Sequence, residues 1–245
     1  MDYLLPFLFL LIAFIYSSVG LGGGSSYTAL MAIFGISYQI IPTTSLTLNL
    51  IVTFISIIHF WKNGHSRLNL IIPFLVTSIP MAYFAGSQEL PERIFNIFLL
   101  ITLIFVVIRI YLMNDLKISI QLTGIQKWIF IFCLGGVLGF IAGAVGIGGG
   151  IYLVPLIIMF GLGTEKEAAA SGAMFIWVNS LVGVIARAQI GTFDLQFVLP
   201  LAIAVLIGGF GGSYLGAVKF EPKTIQKIMG SVIFIAIIFL IKGLL

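Results

Sequence analysis

Long apolar runs are the feature that most limits what this chain can fold into. A helix needs roughly 17 to 25 residues to cross about 30 Å of hydrocarbon. Eight apolar runs reach that length, at residues 3–19, 43–61, 68–86, 92–113, 128–145, 168–188, 195–217 and 224–244. Since 60% of the 245 residues are hydrophobic and 8% are charged, a soluble domain could not cover this surface with polar groups. The sequence predicts an all-α polytopic membrane protein.

Two further apolar runs, 25–35 and 151–161, are too short to cross a bilayer alone. Each follows a glycine cluster, at 20–24 or 146–150, and each ends at a Phe-Gly pair. Backbone at membrane depth must satisfy its own N–H and C=O groups, so three adjacent glycines are tolerated only beside protein or an aqueous cavity. We therefore expect two short broken or re-entrant helices in addition to about eight full transmembrane helices.

The two halves of the chain repeat each other. At an offset of 126 residues the identical pairs include Phe14/Phe140, Val19/Val145, Leu30/Leu156, Phe34/Phe160, Ser45/Ser171 and four glycines of each cluster. At an offset of 127 the pairing continues through Gly64/Gly191 and Pro73/Pro200. This pattern predicts a first repeat at 1–115, a linker at 116–127 and a second repeat at 128–245, as in secondary transporters built by internal duplication.

Charge predicts how the repeats are oriented. If each short segment returns to the side its preceding helix came from, the Lys and Arg residues divide nine to three between the two sides; otherwise they divide seven to five. Cytoplasmic loops collect Lys and Arg, which favours the first arrangement. We expect two inverted-topology repeats in the inner membrane, a cytoplasmic 116–127 linker and both termini outside. The acidic start, Met1-Asp2-Tyr3, indicates a retained first helix rather than a cleaved signal peptide.

The glycine clusters suggest an anion site. A helix that restarts after a break presents unpaired N–H groups and a partial positive charge, and inversion would bring two such ends to one substrate. The candidate substrate-binding residues are Gly22, Gly23, Gly24, Ser25, Ser26, Gly148, Gly149 and Gly150. Ser25 and Ser26 could cap the first end or add hydroxyl donors. The alternative is that these glycines only allow close helix packing.

A polar stripe adds further candidates. Its members fall on one helical face, at spacings of four, four, three and three: Ser45, Asn49, Thr53, Ser56 and His59. We expect Ser45 and Asn49, nearest the break, to contact substrate, although interhelical hydrogen bonds alone would also explain them. In the second half Ser171 is the match of Ser45, whereas Asn179 lies one turn later than strict register with Asn49.

The sequence leaves two roles open for each of two ionisable residues, one structural and one in transport. His59 could carry a coupling proton, or be a hydrogen-bonded group near a helix end. Arg187 ends an apolar run, where we expect it to snorkel to the interface rather than add positive field to a pathway.

In this duplicated frame the motifs Val19-Gly-Leu-Gly-Gly-Gly24 and Val145-Gly-Ile-Gly-Gly-Gly150 resemble those of the TauE/SafE family, also called TSUP. The resemblance covers essentially the whole chain. It implies a bacterial or archaeal membrane transporter of sulfite, thiosulfate, sulfonates such as sulfoacetate, or related organosulfur anions, without fixing which one or in which direction.

The residues favour a secondary transporter working by alternating access, with a small sulfur-containing anion, the lipid bilayer and in one version protons as its partners. An anion channel is the nearest alternative. An intramembrane enzyme and a non-transporting scaffold are weaker ones, since no catalytic motif is evident. The scattered Lys and Arg argue against nucleic acid. The single cysteine, Cys133, excludes a cysteine-built metal site, and no cofactor or metal is expected.

Overall fold

The computed structural model describes residues 4–112, 124–190 and 193–218, with single positions between 234 and 241. Within these residues the chain is helical and contains no strand. The helices are α1 (Leu4–Ser17), α2 (Gly24–Ile33), α3 (Ile41–Lys62), α4 (Leu68–Gly86), α5 (Glu92–Leu112), α6 (Gly124–Val145), α7 (Gly150–Met159), α8 (Glu165–Arg187) and α9 (Leu195–Val218). The predicted run 224–244 and most of the predicted linker lie outside the described residues.

Five of these helices are long and apolar enough to cross a membrane: Ile41–Lys62, Leu68–Gly86, Gly124–Val145, Glu165–Arg187 and Leu195–Ala217. The chain is therefore a multi-pass membrane protein. The first predicted run is shorter than expected, because α1 ends at Ser17 after 14 residues. α6 begins at Gly124, four residues ahead of its predicted start.

Two pairs of parallel helices join the first half of the chain to the second, along stripes of glycine at every fourth position. In α6, Gly135, Gly139 and Gly143 lie against Phe74, Ser78 and Ala82 of α4. In α9, Gly208 and Gly212 lie against Leu10 and Phe14 of α1, and Gly216 lies against Ser18, the residue after α1. A Cβ at most of these glycines would overlap the facing backbone, so the stripes allow the close approach that drives packing in membranes. The sequence patterns described above do not reveal these stripes.

Helices α3 and α8 also pack against each other across the two halves, and they run antiparallel. Leu46 lies against Gly183, and the rings of Phe54 and Trp177 are 6.2 Å apart, so residue numbers rise along one helix as they fall along the other. The pair has two ends, which we name the Arg67 end, where α3 stops and α8 starts, and the Arg187 end, where α3 starts and α8 stops.

The two short helices reverse the direction of the chain. After α2, Phe34 and Ile36 line a cavity of about 260 Å³ together with Leu5 and Pro6, so α2 returns to the level at which α1 began. After α7, the carbonyl of Leu162 accepts a hydrogen bond from Arg67 at 3.2 Å. Arg67 precedes α4, and α4 runs parallel to α6, so α7 likewise returns to the level at which α6 began.

Candidate functional site

The two glycine breaks meet inside the protein. A Cβ placed on Gly24 would lie 2.7 Å from the carbonyl oxygen of Ile147. The Ser45 hydroxyl donates to Gly146 O at 2.7 Å and reaches Gly24 O at 3.3 Å. One serine of α3 therefore holds the first break against the second, and the N-terminal ends of α2 and α7 converge on one buried region.

Backbone geometry, without help from side chains, makes each restart. The residue before α2 is Gly23, with φ of 98°, and the residue before α7 is Gly149, with φ of 74°. Glycine adopts this left-handed region without the strain a Cβ would bring. Neither helix start has a side-chain cap, so the N–H groups of both first turns keep their positive ends turned toward the break.

Asn49 of α3 lies between the breaks. Its Oδ1 contacts Gly22, and its Nδ2 would be 2.6 Å from a Cβ on Gly24 and 3.1 Å from one on Gly148. The side chain is fully buried, and neither Oδ1 nor Nδ2 has a hydrogen-bond partner in the described part of the chain. A buried, unpaired amide is destabilising and rare, so Asn49 brings to the break a donor and an acceptor that no described group uses.

Ser25 and Ser26 do not cap the first break as the sequence suggested. Both lie inside α2, and their hydroxyls bond the phenol oxygen of Tyr16, at 3.1 and 2.6 Å. Tyr16 belongs to α1, and no periodic pattern in the sequence pairs it with residues nine and ten positions on. Its hydroxyl ties the end of α1 to the start of α2 and fixes the shape of the first break.

In the second half, Ser171 and Asn179 are not brought to the break by any contact comparable to those of Ser45 and Asn49. The α8 residues beside Gly150 are Ile176 and Gly172: a Cβ on Gly150 would lie 2.5 Å from the Ile176 side chain and 2.9 Å from the carbonyl oxygen of Gly172. Ser171 is buried, its Oγ has no hydrogen-bond partner within the described ranges, and it lines a cavity at the Arg67 end. Asn179 donates to Phe175 O at 2.8 Å, one turn back in its own helix.

His59 lies toward α9, away from the breaks. Its Nδ1 is 2.7 Å from the Ser213 hydroxyl, which itself donates to Gly209 O at 2.6 Å. Because Ser213 has a single proton, the histidine N–H is the donor between them. Ten residues of helix separate His59 from Asn49, about 15 Å.

Two small cavities lie at opposite ends of the α3 and α8 pair. At the Arg67 end a cavity of about 20 Å³ is lined by Arg67, Ala170 and Ser171, next to Ala169, whose backbone faces Gly20 of the first break. At the Arg187 end a cavity of about 30 Å³ is lined by Pro42, Glu89 and Arg187, and the backbone of Pro42 faces Gly146 of the second break. Each cavity thus has one arginine in its lining and lies close to a residue that faces one break.

Arg187 does not snorkel to the interface as expected. It is 6% exposed, and its Nη2 donates to Gly143 O at 3.0 Å and to Ala144 O at 2.9 Å. These carbonyls end α6, where a cation is stabilised by the helix dipole. The Nε has no partner among the described residues.

Comparison with known proteins identifies one family and relatives named as membrane transporters. The model of the family described as Sulfite exporter TauE/SafE matches residues 5–240. The Probable membrane transporter protein y4hK of Sinorhizobium fredii is 32% identical over 232 residues, which cover 93% of each chain. The Probable membrane transporter protein YjnA of Bacillus subtilis is 24% identical over 232 residues, 89% of this chain and 91% of that protein. No solved structure matches the chain significantly.

Proposed function

The chain belongs to the sulfite exporter TauE/SafE family, and from that premise we propose that it is a secondary transporter of small sulfur-containing anions. Its substrates are of the sulfite, thiosulfate, sulfonate or sulfoacetate type. The observation that carries the proposal is the meeting of two uncapped helix starts around the buried amide of Asn49, which has no hydrogen-bond partner among the described residues.

The chemistry of this place suits an anion. Two N-terminal helix ends give partial positive charge and free N–H donors, and the Asn49 Nδ2 adds a side-chain donor between them. In this proposal the anion is held by backbone of Gly22, Gly23, Gly24, Gly148, Gly149 and Gly150 and by Asn49. Ser45, Ser25 and Ser26 shape the site, since their hydroxyls already have partners in this conformation.

The two cavities support alternating access. One adjoins the first break at the Arg67 end and the other adjoins the second break at the Arg187 end, while the breaks and Asn49 between them are buried. In a carrier of this kind, one half moves against the other to expose a buried site to one side at a time.

An inverted relationship of the two repeats, 1–115 and 128–245, belongs to the same proposal. It is supported by the antiparallel course of α3 and α8 and by contacts that recur with the halves exchanged: Gly146 against Pro42, and Gly20 against Ala169. By the charge argument the Arg67 end, which carries Lys62 and Lys166 as well, faces the cytoplasm. Both termini then face outward.

Proton coupling is assigned to His59 in this scheme. Its ring lies between α3 and α9, hydrogen-bonded to Ser213, so a change of its charge would alter the contact between a helix of the first half and one of the second. His59→Gln keeps a hydrogen-bonding group there but cannot titrate. Uptake driven by a pH gradient should be lost in this variant while exchange without a gradient continues; gradient-driven uptake equal to wild type would exclude His59 as the coupling group.

The function is tested with purified protein in proteoliposomes. Uptake of sulfite, thiosulfate, sulfate, sulfoacetate and taurine is measured with and without a pH gradient. We expect saturable uptake and counterflow of at least one sulfur anion, with no large unitary current in planar bilayers, which separates a carrier from a channel. Asn49→Ala should abolish uptake, whereas Asn63→Ala, an exposed asparagine at the end of the same helix, should not. Wild-type liposomes that take up none of the panel would refute the proposal.

A further inference from the structure

The two breaks have different surroundings. Hydroxyl groups of Tyr16, Ser25 and Ser26 lie beside the first break. Asn49 contacts two glycines of this break, Gly22 and Gly24. The α8 side chains beside the second break are apolar: a Cβ on Gly149 would lie 2.9 Å from the ring of Phe175, and one on Gly150 would lie 2.5 Å from Ile176. The Asn49 Nδ2 approaches this break from α3, 3.1 Å from a Cβ on Gly148. A substrate between the breaks therefore has a polar side and an apolar side.

Asn49 and Ile176 hold equivalent places in the two halves. Asn49 contacts Gly22 and Gly24, and Ile176 contacts the matching glycines, Gly148 and Gly150. The two residues are 127 positions apart. Pro42 and Ala169 have the same separation, and they face Gly146 and Gly20, the first glycine of each cluster. The position that supplies an amide in one half thus supplies a sec-butyl group in the other.

We propose that Asn49 and Ile176 form a selectivity pair that admits oxyanions with one face lacking a hydrogen-bonding oxygen and rejects oxyanions that are polar on every side. An oxygen turned toward Ile176 would lose its water without gaining a donor, which is unfavourable. Sulfur accepts hydrogen bonds weakly and is polarisable, so a terminal sulfur or an alkyl group can face Ile176. This inference rests on the proposed function and adds which anions the site prefers.

Thiosulfate and sulfate are a matched pair for the test, because both are tetrahedral dianions that differ in a single atom. The loss of one hydrogen bond at a buried site corresponds to about a ten- to hundredfold preference. Wild-type proteoliposomes should therefore take up thiosulfate at least about tenfold faster than sulfate at equal concentration. The Ile176→Asn variant should raise sulfate uptake and bring the ratio toward one, and Ile176→Thr, which keeps the branched shape, should shift the ratio in the same direction if the asparagine variant does not insert.

The matched control is Ile176→Val, which stays apolar and should keep the wild-type ratio even if the rate falls. A purely structural role of Ile176 would lower uptake of both anions equally and leave the ratio unchanged in all three variants, and that result would overturn the proposal. Equal wild-type uptake of sulfate and thiosulfate would also overturn it while leaving the transport function standing. Absence of uptake of every sulfur anion by the wild type would instead refute the transport function, and the selectivity pair with it.

Discussion

The hydroxyl of Ser45 donates a hydrogen bond of 2.7 Å to the carbonyl oxygen of Gly146, 101 residues further along the chain. It is a direct link from a helix of the first half to the break of the second. The bond is buried, and it uses the proton that Ser45 would otherwise offer to a substrate. Ser45 therefore stabilises the arrangement of the breaks, whereas the amide of Asn49 has no hydrogen-bond partner in the described part of the chain and is the side chain that we propose binds substrate.

The first prediction follows from that difference. Ser45→Ala should lower the free energy of unfolding by about 1 kcal/mol or somewhat more, because it leaves a buried carbonyl unpaired, and should leave the ratio of thiosulfate to sulfate uptake unchanged. Thermal unfolding in detergent and uptake by proteoliposomes measure the two effects. Thr47→Ala is the control, since Thr47 bonds only a carbonyl of its own helix. An altered uptake ratio in Ser45→Ala would place Ser45 in contact with substrate instead.

A second prediction concerns Gly149, the glycine immediately before α7. Gly149→Leu should abolish transport while the protein still inserts, because a Cβ there would meet Phe175 and the carbonyl of Leu138 within 3.0 Å and would move the helix start. Gly161→Leu is a matched control: Gly161 also has a positive φ, 62°, but a Cβ there meets nothing within 4 Å. Both variants bear the strain of a left-handed residue, about 1–2 kcal/mol, so only the contact at the break distinguishes them. Equal loss of uptake in the two would mean that strain alone is responsible.

The two breaks show which features of the site can be predicted from the sequence. The start of each short helix was predicted to within one residue, since triple glycine within an apolar run has few other structural uses. The equivalence of Ser45 and Ser171 was read at an offset of 126, whereas the contacts give 127 and bring Gly172 to Gly150. A shift of one residue in a helix turns a side chain by about 100°, and identical letters in a repeat cannot reveal it. The bond from Tyr16 to the α2 serines likewise depends on how α1 and α2 pack.

The third prediction separates a buried guanidinium from an exposed one. Arg187→Gln should destabilise the protein by about 3 kcal/mol or more, because two carbonyls that end α6 lose a charged donor in a buried place. Arg67→Gln should change stability by less than about 1 kcal/mol, since the Arg67 side chain is 51% exposed and its contact with Glu167, at 3.5 Å, is a surface ion pair. Unfolding of both variants in one detergent tests the contrast. Similar stability losses would show that the burial of Arg187 is not what matters.

The fourth prediction tests the packing that joins the halves. Gly139→Ala should impair assembly, because its Cβ would overlap the backbone of Ser78 on α4, and helices that meet along small residues cannot move apart without losing their whole contact. Gly136→Ala, on the same helix, would place its Cβ 3.7 Å from the side chain of Met81, an ordinary contact, and should be tolerated. The yield of monodisperse protein by fluorescence-detected gel filtration reports the outcome. Because α4 and α6 come from different halves and pack directly on each other, a Gly139→Ala protein that stays monodisperse yet loses uptake would show that this contact positions the halves for transport. A Gly139→Ala protein that matches Gly136→Ala in both yield and uptake would contradict the prediction, because the contact would then tolerate expansion.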